Sequence, residues 1–126
     1  MVKSVEELFT HNFLVDLLCT ASYGSSWFAF GTHKDTPDEI YQSAKDCYDC
    51  REDIWSYVLM NGGYLLVEDV EEEKDYRLTL QDIINGFKIT MLNYPEQYAA
   101  IMTENADLYD ADCVIQCAVF GELTYG

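Results

Sequence analysis

Lysine and arginine are scarce in this chain, seven in all against 23 aspartates and glutamates, for a formal net charge of −16 over 126 residues. So large a deficit of positive charge argues against direct binding to nucleic acid, which depends on basic side chains displacing counterions, and against attraction to anionic lipid. Long apolar runs are missing as well. None approaches the roughly 20 residues that span a bilayer. The opening Met1-Val2-Lys3-Ser4-Val5-Glu6-Glu7 has no apolar signal-peptide core, so a soluble, cytoplasmic protein is expected. There is no repeat, low-complexity linker or shift in composition, which predicts a single acidic globular domain over 1–126.

The motifs of catalysis and of cofactor binding are equally thin. The two histidines, His11 and His33, neighbour no nucleophile in a recognisable motif, and His11 is expected on the solvent face of a first helix. No nucleophile, base and orienter can be assembled, so no enzyme is predicted. Gly62-Gly63 lacks the Lys and Ser/Thr that follow in a phosphate-binding loop, and reads as a helix stop. Asp107-Leu108-Tyr109-Asp110-Ala111-Asp112 alternates acids as a calcium loop begins, without its central Gly or closing Glu.

Five cysteines are an odd number, which favours reduced thiols over a disulfide framework. Cys47 and Cys50 form a C-x-x-C, and Cys113 and Cys117 lie four apart, so a four-thiol zinc site can be drawn. Cys113 and Cys117, however, interleave with Val114, Ile115 and Ala118 as small core residues do. Ordinary buried thiols are expected, with no metal and no cofactor.

What the chain does have is apolar mass: 49% hydrophobic residues, with ten Tyr, six Phe and two Trp, enough for a real core. Ser4 with Glu7 forms a capping-box pattern, and Val5, Leu8, Phe9, Phe13, Leu17 and Leu18 recur at helical spacing, predicting one helix over 5–20. Trp27-Phe28-Ala29-Phe30 reads as a strand ended by Gly31, able to pair with 64–67. Asp35-Thr36-Pro37-Asp38-Glu39 looks like a helix start, while 40–50 is open between one helix and a broken segment. Ile54, Trp55, Val58 and Leu59 mark a helix stopped by Asn61-Gly62-Gly63. Thr79 with Asp82 begins another, whose apolar face is Leu80, Ile83, Ile84, Phe87, Met91 and Leu92. Pro95 ends or restarts it, Tyr98, Ile101 and Met102 suit a short helix, and Asp110 or Asp112 is expected to cap a last one before Gly121. The fold class is α+β: a small antiparallel sheet of two or three strands, with a hairpin near 63–79, packed with four or five helices.

The hairpin is also the most acidic stretch. Six of the eight residues 68–75 are acids, namely Glu68, Asp69, Glu71, Glu72, Glu73 and Asp75, and the turn is placed in 71–75. Asp46, Asp49 and Asp53 fall at three and four spacing and would share one helix face with Glu39 and Glu52. Asp107, Asp110 and Asp112 form a third cluster. This is more negative charge than solubility requires. Carboxylates two apart on a strand are about 6.7 Å from each other. Those four apart on a helix are about 6 Å from each other, spacings comparable to phosphates. Duplex DNA carries one charge per roughly 1.7 Å of axis, so the net charge matches about 27 Å of duplex. The expected partner is a basic nucleic-acid-binding protein, with Tyr41, Tyr48 and Tyr76 adding exposed contact area. The alternative is an acidic structural or adaptor protein.

In size, acidity and tyrosine content the chain resembles the anti-restriction and anti-CRISPR DNA mimics of phages and mobile elements. The closing stretch 111–126, with Ala111-Asp112-Cys113-Val114-Ile115-Gln116-Cys117, and the stretch from Trp55 to Asp69 also look like small proteins of Gram-positive phages and integrative elements. The resemblance implies a mobile-element setting and an inhibitor of a host nuclease or CRISPR effector. It rests on composition, and no functional residue is carried over from it.

Overall fold

The computed structural model describes residues 4–23, 26–32 and 38–125. His33 and the Asp35-Thr36-Pro37 helix start lie outside them. Small oxygen-bearing side chains set most of the helix starts. Ser4 accepts a hydrogen bond from Glu7 N and opens α1, Val5–Leu8. The single helix expected over 5–20 is in fact two. Phe9 leaves the helical conformation, and Thr10 Oγ1 accepts from Phe13 N to open α2, His11–Ser22. Apolar spacing runs unbroken across this step because Phe9, though non-helical, is still buried.

Strand β1, Phe28–Thr32, continues through Gly31 rather than ending there. Helix α3, Asp38–Cys47, and helix α4, Arg51–Met60, are separate, with the chain leaving helix at 48–50. Asn61 caps the C-terminus of α4, Gly62 takes φ 89°, and Gly63 N donates to Val58 O at 2.8 Å. That is the Schellman arrangement, and it makes the glycine pair the helix stop expected.

Strands β2, Leu65–Asp69, and β3, Lys74–Leu78, form the hairpin, whose turn is 70–73 rather than 71–75. A reciprocal Thr79–Asp82 capping box opens α5, Leu80–Asn93. Pro95 restarts the chain as α6, Pro95–Met102. The last helix, α7, Leu108–Phe120, is capped by Asp107 with Asp110 as its box partner, not by Asp110 or Asp112, and it ends at Gly121 with φ 81°.

Among the described residues, three antiparallel strands in the order β1-β2-β3 and seven helices make the α+β fold expected. The helices outnumber the expectation because 5–22 breaks in two and 38–47, open in the sequence between a helix and a broken segment, is a helix of its own. In register, Phe28 faces Asp69 and Phe30 faces Val67 across β1–β2, while Val67 faces Tyr76 and Leu65 faces Leu78 across β2–β3. Period-two alternation therefore puts Phe28, Leu65, Val67 and Leu78 on the buried face and Ala29, Glu68, Asp75 and Arg77 on the other.

The buried face meets α2, α4, α5 and α7 in one core that includes Leu14, Leu18, Leu59, Ile83, Phe87, Val114 and Ile115. Each such side chain contributes about 1.5 to 3 kcal/mol on burial. Gly86 lets α5 and α7 approach backbone to backbone: a Cβ there would lie 2.5 Å from Ala118 N and 2.6 Å from Val114 O. Leu92, expected on the apolar face of α5, is 75% exposed, because at about 3.6 residues per turn it lies about 140° from Phe87 and about 180° from Ile83 around the helix. Among the described residues no helix is long and apolar enough to cross a membrane.

Candidate partner interface

The hairpin tip is assembled by one buried acid. Asp69, at the end of β2, is 2% exposed, and its Oδ1 accepts from Glu71 N at 2.9 Å and Glu72 N at 3.1 Å. A short side chain that accepts from the backbone two and three residues on is the Asx-turn mechanism. Its other oxygen, Oδ2, accepts from Tyr125 Oη at 3.0 Å. Glu73 completes the turn in the left-handed region, φ 54°. Asp69 was expected to meet a partner; it is instead an internal strut, since its carboxylate is fully engaged and buried.

The other five hairpin acids, Glu68, Glu71, Glu72, Glu73 and Asp75, are all exposed. Glu68 and Asp75 face each other across the β2–β3 ladder. Directly opposed like charges destabilise a strand pair. Lys74, opposite Asp69, and Arg77, stacked over the Tyr64 ring at 4.9 Å, are the hairpin's two cations.

Behind the tip, the C-terminal segment is held by Gln116 and Trp27. Gln116 is 2% exposed, and its Oε1 accepts from Thr124 N and Tyr125 N, both at 2.8 Å. Its Nε2 donates to Asp112 Oδ2 at 2.7 Å and to Tyr125 O at 3.2 Å. Asp112 Oδ1 accepts from Trp27 Nε1 at 2.7 Å, and the Trp27 ring stacks on Tyr125 with centroids 5.1 Å apart. Burial pushes the Asp112 carboxyl up, against the downward pull of Trp27 and Gln116. Burial likewise raises the Tyr125 phenol to about 12, with the Asp69 carboxylate adding to it.

The two rival acidic surfaces are less available than their sequences suggest. In the 107–112 cluster, Asp107 accepts from Tyr109 N and Asp110 N, Asp110 accepts from Asp107 N, and Asp112 holds Trp27 and Gln116. All three are helix-cap or packing residues. Burial is the main cause that raises Asp110. Asp46, Asp49 and Asp53 do not share a helix face, because Asp46 is in α3, Asp49 is in the link and Asp53 is in α4. Asp46 and Asp49 are exposed, whereas Asp53 is engaged with a histidine.

That histidine was expected on a solvent face. His11, at the first position of α2, instead has Nε2 at 2.9 Å from Asp53 Oδ1 and Nδ1 at 2.9 Å from Ser56 Oγ, with Tyr48 stacked on its ring at 4.9 Å. A Ser, a His and an Asp thus meet in space, which their separation in sequence conceals. Ser56 is 0% exposed, and its Oγ also lies 3.4 Å from His11 O, so its hydroxyl ties α4 to α2 and presents no nucleophile at the surface.

The tyrosines expected to be exposed are half-buried: Tyr41 lies under Lys45, Tyr48 covers His11, and Tyr76 packs edge-on against Phe120. The cysteines divide. Cys113 and Cys117 are buried as expected, and Cys113 is held protonated by its hydrogen bond with Cys117 and by burial. Cys47 and Cys50 are exposed, because the C-x-x-C falls at the α3–α4 link. Among the described residues no three His, Cys, Asp or Glu side chains converge in a metal-binding group.

No family model, no curated protein and no solved structure matches this chain. Function is therefore read from its own geometry.

Proposed function

We propose that the chain is a non-enzymatic inhibitor that sets its acidic hairpin into the basic, nucleic-acid-binding groove of a host defence nuclease, a restriction enzyme or a CRISPR effector. The observation that carries this reading is the hairpin itself, where Glu68 and Asp75 stand exposed opposite each other on the β2–β3 ladder and Glu71, Glu72 and Glu73 stand exposed on the turn that joins its strands. The Cβ atoms of such directly opposed residues are about 5 Å apart. With the three turn acids beside them, a groove built for phosphates meets five clustered negative charges. The chain's net charge of −16 adds long-range attraction to a basic partner. This activity places the protein in the cytoplasm of a bacterial host, where it binds protein rather than nucleic acid.

The test compares three neutralised variants in one assay: the hairpin set Glu71→Gln, Glu72→Gln, Glu73→Gln and Asp75→Asn; the pair Asp46→Asn and Asp49→Asn; and Asp107→Asn with Asp110→Asn. Each is used to capture nuclease from host lysate at low and high salt, with duplex DNA as competitor. The hairpin variant loses capture, wild-type capture falls steeply with salt, and DNA displaces the captured protein. Wild-type capture by the hairpin variant at low salt overturns the reading.

A further inference from the structure

On the side formed by α1, α2, α6 and the start of α7, the molecule has an open cleft of about 560 Å³, a volume within the range of ligand pockets. Leu17, Ile101 and Ala111 form a buried apolar floor and Phe13 a half-buried wall. Met102, 39% exposed, stands at the mouth with two exposed carboxylates, Asp16 and Glu104. Among the described residues that line it there is no basic side chain. The Glu104 backbone sits at φ 60°, fixed by Glu104 N to Ile101 O and Asn105 N to Ala100 O, so its position on the rim is set by the turn.

A hollow with an apolar floor and an acidic mouth selects against anions and favours an apolar group flanked by positive charge. A second copy of this chain would bring a net charge of −16 towards another −16, which opposes self-docking. We infer that the cleft receives one bulky apolar side chain from a basic protein segment, whose flanking Lys or Arg residues meet Asp16 and Glu104. The inference shares with the proposed function the premise of a basic protein partner, and adds a second contact away from the hairpin. Helix α7 joins the two: Ala111 lines the cleft, and Phe120 in the last turn packs on Tyr76 of the hairpin. At about 1.5 Å of rise per residue they are about 14 Å apart along the helix.

The probe is an amidated pentapeptide with one leucine between paired lysines, titrated into the full chain by calorimetry and by amide chemical shifts. Shifts concentrate at the cleft. Replacing the peptide's leucine by alanine, filling the cleft with Ala106→Trp, or neutralising the rim with Asp16→Asn and Glu104→Gln each weakens binding by about tenfold or more. The hairpin-neutralised chain binds the peptide as wild type does, so loss of nuclease capture by that variant and loss of peptide binding at the cleft report separately. Equal affinity for the leucine and alanine peptides, or shifts centred on the hairpin, would mean charge alone holds the peptide, and would overturn the inference. Hexylamine binding as tightly as the peptide would make the cleft a small-cation site, and self-association abolished by Ala106→Trp would make it a self-interface; either result overturns it too. Should Ala106→Trp fail to fold, the exposed rim pair carries the same comparison.

Discussion

Gln116 grips Tyr125 from both sides of its backbone, accepting from its N–H at 2.8 Å and donating to its carbonyl at 3.2 Å. The same amide also bonds Thr124 N and Asp112 Oδ2, so every polar valence of a fully buried side chain is used. Gln116→Leu removes four bonds and leaves Asp112 Oδ2 without its donor, costing about 2 to 4 kcal/mol. Urea melts measure the loss. Trp27 emission shifts to the red as Tyr125 leaves its ring.

Asp69 and its acidic neighbours are predicted to respond in opposite directions. Asp69→Ala leaves Glu71 N, Glu72 N and Tyr125 Oη without their acceptor and costs about 2 to 3 kcal/mol. Asp69→Asn keeps one acceptor oxygen and costs less. Neutralising Glu71, Glu72, Glu73 and Asp75 raises the melting temperature, because it relieves repulsion between exposed like charges. Thermal melts of the three variants give that order.

Alkaline pH tests the Tyr125–Asp69 bond. The phenol's value of about 12 in the folded chain lies above the ordinary 10 of an unfolded one, so folding favours the protonated form. This contribution is full below about pH 10 and fades as pH rises towards 12. Tyr125→Phe abolishes that part of the pH dependence. Melts between pH 8 and about 12 on both chains check it.

Gly86→Ala is the smallest change with a large expected effect. A methyl group 2.5 Å from Ala118 N and 2.6 Å from Val114 O meets backbone atoms, which cannot rotate aside. α5 and α7 must separate, at a cost of about 3 kcal/mol. Denaturant melts report the loss, and near-ultraviolet dichroism reports the disturbed aromatic packing.

Local signals were readable where the answer is local. The Thr79–Asp82 box, the Gly62-Gly63 stop, Pro95 and Gly121 each act within a few residues, and each stands where its chemistry puts it. The break at Phe9 was hidden, because burial of a non-helical Phe preserves helical spacing. The acidic clusters were visible as charge but not as roles. Asp69 had one local signal, an acid two and three residues before turn amides, whereas its bond to Tyr125 spans 56 residues. Asp112 with Trp27, and His11 with Asp53 and Ser56, are likewise made by tertiary packing across 85, 42 and 45 residues.

The double hold on the hairpin, with Asp69 bonding the turn amides on one side and Tyr125 on the other, has a kinetic meaning. A loop already closed before encounter surrenders little conformational entropy when it docks, so more of its electrostatic attraction survives as affinity. Releasing the tail through Gln116 would therefore shorten the lifetime of a hairpin-mediated complex without removing a single exposed carboxylate.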